Sequence, residues 1–163
     1  MTPPKSLVNT ALFLSPSAAL FQAGYGFAFS QNAIPQLYDL PPQQSTPLFR
    51  RIFNAGGKIA VPMSLTSGAA AAYLACLCTS PTQRNIYIFA AVFSILPMPY
   101  TGLVMMPGIK RLVEISESGE MQEKSEQDLE HRRLLKGWVV HNYVRTGLYV
   151  VGGGLGLWAG IFA

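Results

Sequence analysis

Charged residues are few in this chain: they make up 12% of its 163 residues, where a soluble domain carries about 25%. Thirteen of the twenty crowd between Lys110 and Lys136, leaving the rest of the sequence with almost none. Asp and Glu are missing from every long apolar stretch, which excludes a buried carboxylate relay. Cysteine occurs only as Cys76 and Cys78. One residue apart and with no histidine near, they complete no zinc set and close no unstrained disulfide, so both read as structural. Histidine is also confined to two positions, His131 among the charges and His141 in an apolar stretch, an arrangement that disfavours paired axial ligation of a haem. No GxGxxG or P-loop pattern precedes a helical run. Any chemistry therefore falls to His, Arg, Asn, Tyr and Trp, with no cofactor and no metal.

What fills the chain instead is apolar sequence. Uncharged runs of about 18 residues or more read as membrane-crossing helices. Four such spans are expected, at about 7–30, 59–79, 86–107 and 137–163, within a single domain covering 1–163. Lys5 ahead of an apolar run also begins a signal peptide, but this run is longer than such a segment needs and ends in no small-x-small site. Ser64, Gly68 and Ala72 recur every fourth residue, as do Gly152, Gly156 and Gly160, a spacing that lets helix backbones approach in lipid. The fold class is all-α: a four-helix transmembrane bundle with a short interfacial helix and a charged cytosolic helix before the fourth span.

Lys and Arg set the expected orientation. Nine lie in the connections between spans 1 and 2 and between spans 3 and 4, against Lys5 and Arg84 on the opposite side. That imbalance places both connections in the cytosol of a multi-pass endomembrane protein. The basic residues flank spans and form no separate stripe, so no nucleic acid is expected as a partner. The lipid bilayer is one. Between the first two spans, Thr46 and Pro47 resemble an N-cap and first helical position. Leu48, Phe49, Ile52 and Phe53 then share a face before Gly56-Gly57 breaks the helix, and that face suits either the membrane interface or the end of the bundle. In the charged segment, Ser118-Gly119 marks a break and Asp128 with Arg132 forms an i, i+4 pair.

The fourth span opens with GWVVHNYVRTG, residues 137–147. At 100° per residue, Trp138, His141, Asn142, Arg145 and Tyr149 project from one side, continued by Gly152 and Gly156. Arg145 and Trp138 also suit a plain membrane collar, with the arginine reaching to phosphates. Anchoring needs neither Asn142 nor His141, however, and ionisable groups on an inward membrane face are functional candidates. His141, Arg145 and Asn142 are the candidate catalytic residues. Span 3 ends in PMPYTGLVMMP, 97–107, whose three prolines open the backbone ladder and kink the helix. Tyr100 and Thr101 offer hydroxyls there, and Met105 offers a soft wall for a flat apolar ligand. With Trp138, and with Gln22 and Tyr25 on one face of span 1, they are the candidate substrate-binding residues. Gln22 and Tyr25 equally suit an interhelical hydrogen bond.

The segments PYTGLVMMPGIKRL, LLKGWVVHNYVR and GLGLWAG together resemble the anthrone oxygenase-like family of small four-span membrane proteins. Pro99, Tyr100, Thr101, Pro107, Arg111, Leu112, Trp138, Asn142 and Arg145 match its recurring P-Y-T, M-P-T-N-x-R-L and W-x-x-x-N-x-x-R pattern. Gly108 and Ile109 stand where the family carries Thr-Asn, which removes a polar pair. His141 is not part of that pattern. The resemblance implies a cofactor-independent monooxygenase of secondary metabolite biosynthesis. Such an enzyme oxidises an anthrone-like, enolisable aromatic polyketide with molecular oxygen to a quinone. Its partners would be a small apolar aromatic substrate and enzymes of the same pathway. In that chemistry His141 is the expected general base and Arg145, with Asn142, stabilises the enolate. A non-catalytic scaffold or accessory subunit, or an oxidase or isomerase of another enolisable polyketide, fits the same residues.

Overall fold

The computed structural model describes residues 3–162, so Met1, Thr2 and the Ala163 that closes the expected fourth span lie outside it. The described chain is helical almost throughout and contains no strand. Helix α1 runs Lys5–Ala28, α2 Pro42–Leu77, α3 Pro81–Ile95, α4 Pro97–Tyr100, α5 Met106–Glu117, α6 Gly119–Gln127 and α7 Glu130–Phe162. Helices α1, α2, α3 and α7 pack in a ring in which each touches the next, alternating in direction. Two segments, Pro42–Leu77 and Pro81–Glu117, are long and apolar enough to cross a membrane. The 29–41 connection and helices α5 and α6 gather at one end, the charged end. Both described chain ends and the tight turn between α2 and α3 lie at the other.

Several local expectations need correction. Helix α2 starts at Pro42 behind Pro41, and Thr46 does not cap it; the Thr46 hydroxyl bonds back to the Pro42 carbonyl at 2.8 Å inside the first turns. Proline at the first helical position is favourable because its missing N–H has no helical partner there anyway. Nor does Gly56-Gly57 break the helix. Glycine costs only about 1 kcal/mol in a helix interior, and α2 is held before and after the pair by the buried Phe49 and Ser64. Phe49 is fully buried and Ile52 and Phe53 pack beside it, so this stretch is bundle core and not a free interfacial helix. Arg132 pairs with Asp39 at 3.1 Å and not with Asp128. The charged segment does break at Ser118, whose hydroxyl caps α6, and breaks again at Leu129, where φ is +53°.

Candidate functional site

Packing mode changes along the bundle, and a cavity lies where it changes. At the far end α7 presents glycine to its neighbours. A Cβ on Gly152 would stand 3.1 Å from the Ser94 nitrogen and 3.2 Å from the Ala90 carbonyl oxygen. Toward the charged end the contacts are made by Phe49, Ile109, Leu112, Leu135 and Trp138. Between them is a cavity of about 310 Å³, at the lower end of the range for small-molecule sites. Two π-helical turns, Phe29–Ala33 and Thr101–Met105, border it through Phe29, Thr101 and Gly102. The second turn follows from Pro97, Pro99 and Pro107, which withhold the N–H groups a regular ladder needs.

The cavity wall is mostly apolar. Gly56 and Gly57 matter by what they lack: no side chain fills the space in front of them, and Tyr25 sits 3.8 Å from where a Cβ on Gly56 would be. Ser64 donates to the Ala60 carbonyl at 2.8 Å, so its oxygen receives the Tyr149 hydroxyl at 2.6 Å. That bond closes the cavity toward the far end.

Three polar residues of α7 converge on it. Asn142 donates to the Gly26 carbonyl at 2.9 Å and to Ser30 Oγ at 2.8 Å, which uses both hydrogens of its amide. The Gly26 carbonyl can only accept, so it fixes which way the amide is turned. The remaining Oδ1 accepts from Arg145 Nη1 at 3.2 Å. Asn142 is thus a positioning residue for Arg145 and has no donor left for a ligand. Gly26 is needed at this contact, since a Cβ there would stand 2.8 Å from Thr146 Oγ1. Arg145 has no carboxylate partner, and its buried Nε has no hydrogen-bond partner among the described residues. Gln22 Oε1 and Trp138 Nε1 are likewise buried and unpartnered. A cation and two neutral residues with orphaned polar atoms thus line one apolar space, where leaving such a group unsatisfied costs about 1–3 kcal/mol each.

The expected site residues do not all meet. Arg145, Asn142, Trp138, Thr101, Gln22 and Tyr25 line the cavity. His141, Tyr100 and Met105 do not. Tyr100 OH and His141 Nδ1 bond each other at 2.8 Å, and His141 and Met105 border a second hollow of about 180 Å³ whose shared wall is Trp138. Helical phase alone does not explain the first separation, since His141 falls about 60° from Trp138 and only about 40° from Arg145 around α7; its bond to Tyr100 holds the imidazole toward the second hollow. The π turn explains the second, because its wider spacing turns Met98, Gly102 and Met106 to the cavity in place of Tyr100 and Met105. Sequence reasoning also passed over the α2 wall, where the glycine pair was the available signal and was read as a helix break.

At the charged end Arg111 grips Glu130 with two bonds of 2.9 and 3.1 Å and also reaches Glu114. The bond to Arg111 holds the Glu130 carboxyl below its ordinary value of 4.5, against the opposing effect of its partial burial. Arg50 pairs with Glu117 at 2.7 Å and ties α2 to α5. No cluster of His, Cys, Asp or Glu among the described residues has a metal-binding arrangement. Cys76 and Cys78 are both free thiols.

Fold and site together define a helical bundle with an internal apolar cavity and a single uncompensated cation in its wall. The comparison of sequences is more specific. A family model for anthrone oxygenase matches residues 49–155, and the chain belongs to that family. The match takes in the α2 wall, the π turn after Pro97, Trp138, Asn142 and Arg145, and leaves Gln22 and Tyr25 outside. No curated protein and no solved structure matches the chain.

Proposed function

We propose that this protein is a membrane-embedded oxygenase that converts an anthrone-like, enolisable aromatic polyketide to a quinone with molecular oxygen. The observation that carries the proposal is Arg145, held by Asn142 in an apolar cavity with no carboxylate to neutralise it. Arg145 is half-buried, and a charge drawn partly out of water without a counter-charge is costly. It is compensated when the ligand brings negative charge, as an enolate does. The flat ring lies against Tyr25, Phe53 and Trp138, with its oxygen toward the guanidinium.

Proton loss from the methylene carbon opposite the carbonyl, or from the enol tautomer, gives the enolate and passes the proton to water. Arg145 favours this ionisation because it is positive before the charge develops. Electron transfer from the enolate to O2 and radical recombination form one C–O bond and reduce O2 to the peroxide level. Protonation gives a hydroperoxide. Loss of water leaves the new carbonyl, so one CH2 and one O2 become one C=O and one H2O. His141 is given no part in this reading, because it stands on the other side of Trp138. A scaffold subunit has no use for an unpaired arginine in such a space.

Membrane embedding is read from the outward faces. Phe13 and Phe21 on α1, Leu65 and Leu77 on α2, Phe89 and Val92 on α3, and Val140, Val150 and Leu157 on α7 are all exposed. All four rods thus offer apolar surface larger than a soluble monomer tolerates, and four crossings satisfy it. The Lys and Arg excess then puts the charged end in the cytosol.

The test is direct. Protein purified in detergent, given an anthrone in air, is expected to speed quinone formation above a protein-free control at equal detergent. Equal rates would refute the proposal.

A further inference from the structure

Resting on that reading, we infer that Gln22 is the specificity-determining residue of the cavity: its side-chain amide hydrogen-bonds a ring hydroxyl of the substrate. Gln22 is 3% exposed, lies in the cavity wall and has no partner for Oε1. An interhelical hydrogen bond, the structural role open to a glutamine on this face, is not made. The amide oxygen is therefore held buried at a cost that nothing within the described protein repays.

Its level in the bundle says what it faces. Helices α1 and α7 run antiparallel and are pinned together where Asn142 meets the Gly26 carbonyl. From that bond Gln22 is four residues deeper on α1, about 6 Å, and Arg145 three residues deeper on α7, about 4.5 Å. The acceptor and the cation thus come to nearly the same depth on neighbouring helices. Trp138 stands seven residues from Arg145 toward the charged end, about 10.5 Å along α7, lines the same space and has a buried N–H without a partner among the described residues. A linear three-ring ligand laid along α7 spans that distance. One of its oxygens meets Arg145, a hydroxyl on the adjoining edge hydrogen-bonds the Gln22 amide, and an oxygen at the other end reaches Trp138. An apolar cavity by itself discriminates poorly against an added or missing hydroxyl, whereas a buried group left unpaired by the wrong ligand discriminates well.

The experiment uses stable quinones, which bind without reacting. Isothermal calorimetry on the full chain in detergent would compare the unsubstituted tricyclic quinone with isomers carrying one hydroxyl at each ring position. At least one isomer is expected to bind about tenfold more tightly than the parent ring. In Gln22→Leu, and in Gln22→Met should the first variant fold poorly, that ratio should fall to near one. The unfolding midpoint of the ligand-free protein should rise, since a buried acceptor without a partner is gone; a purely structural glutamine would lower it. A ratio unchanged in both variants overturns the role of Gln22 and leaves the oxygenase reading standing. Failure of the wild type to bind any of the rings overturns both.

Discussion

The two ends of the bundle are packed on opposite rules. At the far end the helices meet mostly through small residues: Ala11, Ala75 and Ala159 beside Leu74 and Tyr87 in the core, and Gly152 and Gly156 against α3 and α1. Ser67 there donates to the Ser15 carbonyl and receives Ser94. At the charged end the contacts are large, with Trp138 edge-on to Phe49 at 5.6 Å and ion pairs outside them. Small residues bring backbones together and large ones hold them apart. The cavity is the consequence. It opens where the helices have begun to separate and before the large side chains fill the space.

If that contrast is right, the ends should respond differently to substitution. The largest effect is expected from Phe49→Ala, which removes a fully buried ring under Trp138. Unfolding in detergent should show a loss of about 3–5 kcal/mol. A loss near zero would mean that the charged end is not a packed core. Next comes Gly152→Ala, whose methyl meets the backbone of α3, where only helix movement can make room; about 1–3 kcal/mol should be lost. Gly154→Ala is its control, because nothing lies within 4 Å of the added carbon. That change should be neutral or stabilising by up to about 1 kcal/mol. Equal behaviour of the two glycines would deny the close approach of α3 and α7.

The smallest effect belongs to the ion pairs. Because Glu130 is held below 4.5 in the folded state, its contribution is present above that value and fades as pH falls below it. Comparing Glu130→Gln with the parent in chemical unfolding should show a difference of about 1 kcal/mol or less at neutral pH. The difference should vanish in acid. A gap that widened on acidification would reverse the sign of the argument.

Composition made the helical class and most helix positions legible, because uncharged apolar runs leave few alternatives to helix. The polar face of α7 was legible too, since Trp138, Asn142, Arg145 and Tyr149 keep regular phase. What failed were places where tertiary packing overrides local preference. Gly56-Gly57 looks like a break until α1 is seen to use the room it leaves. Thr46-Pro47 looks like a cap because Pro41-Pro42 offers the same signal earlier. The π turn at Thr101–Met105 moves the register of everything beyond it, and no 3.6-residue count anticipates that. His141 was grouped with Arg145 because the two lie four residues and about 40° apart on α7, and phase alone could not show that Tyr100 holds the imidazole toward the other hollow.

That division between the two sides of Trp138 carries the functional account, and one pair of variants tests it. Arg145→Gln and His141→Ala would be purified alongside the parent, and initial rates of quinone formation from an anthrone in air measured above the protein-free rate. The cavity bearing Arg145 predicts that Arg145→Gln loses a factor of ~10² to 10³, while His141→Ala stays within a few-fold of the parent. Full activity in Arg145→Gln together with a collapse in His141→Ala would place the chemistry in the other hollow and contradict the account.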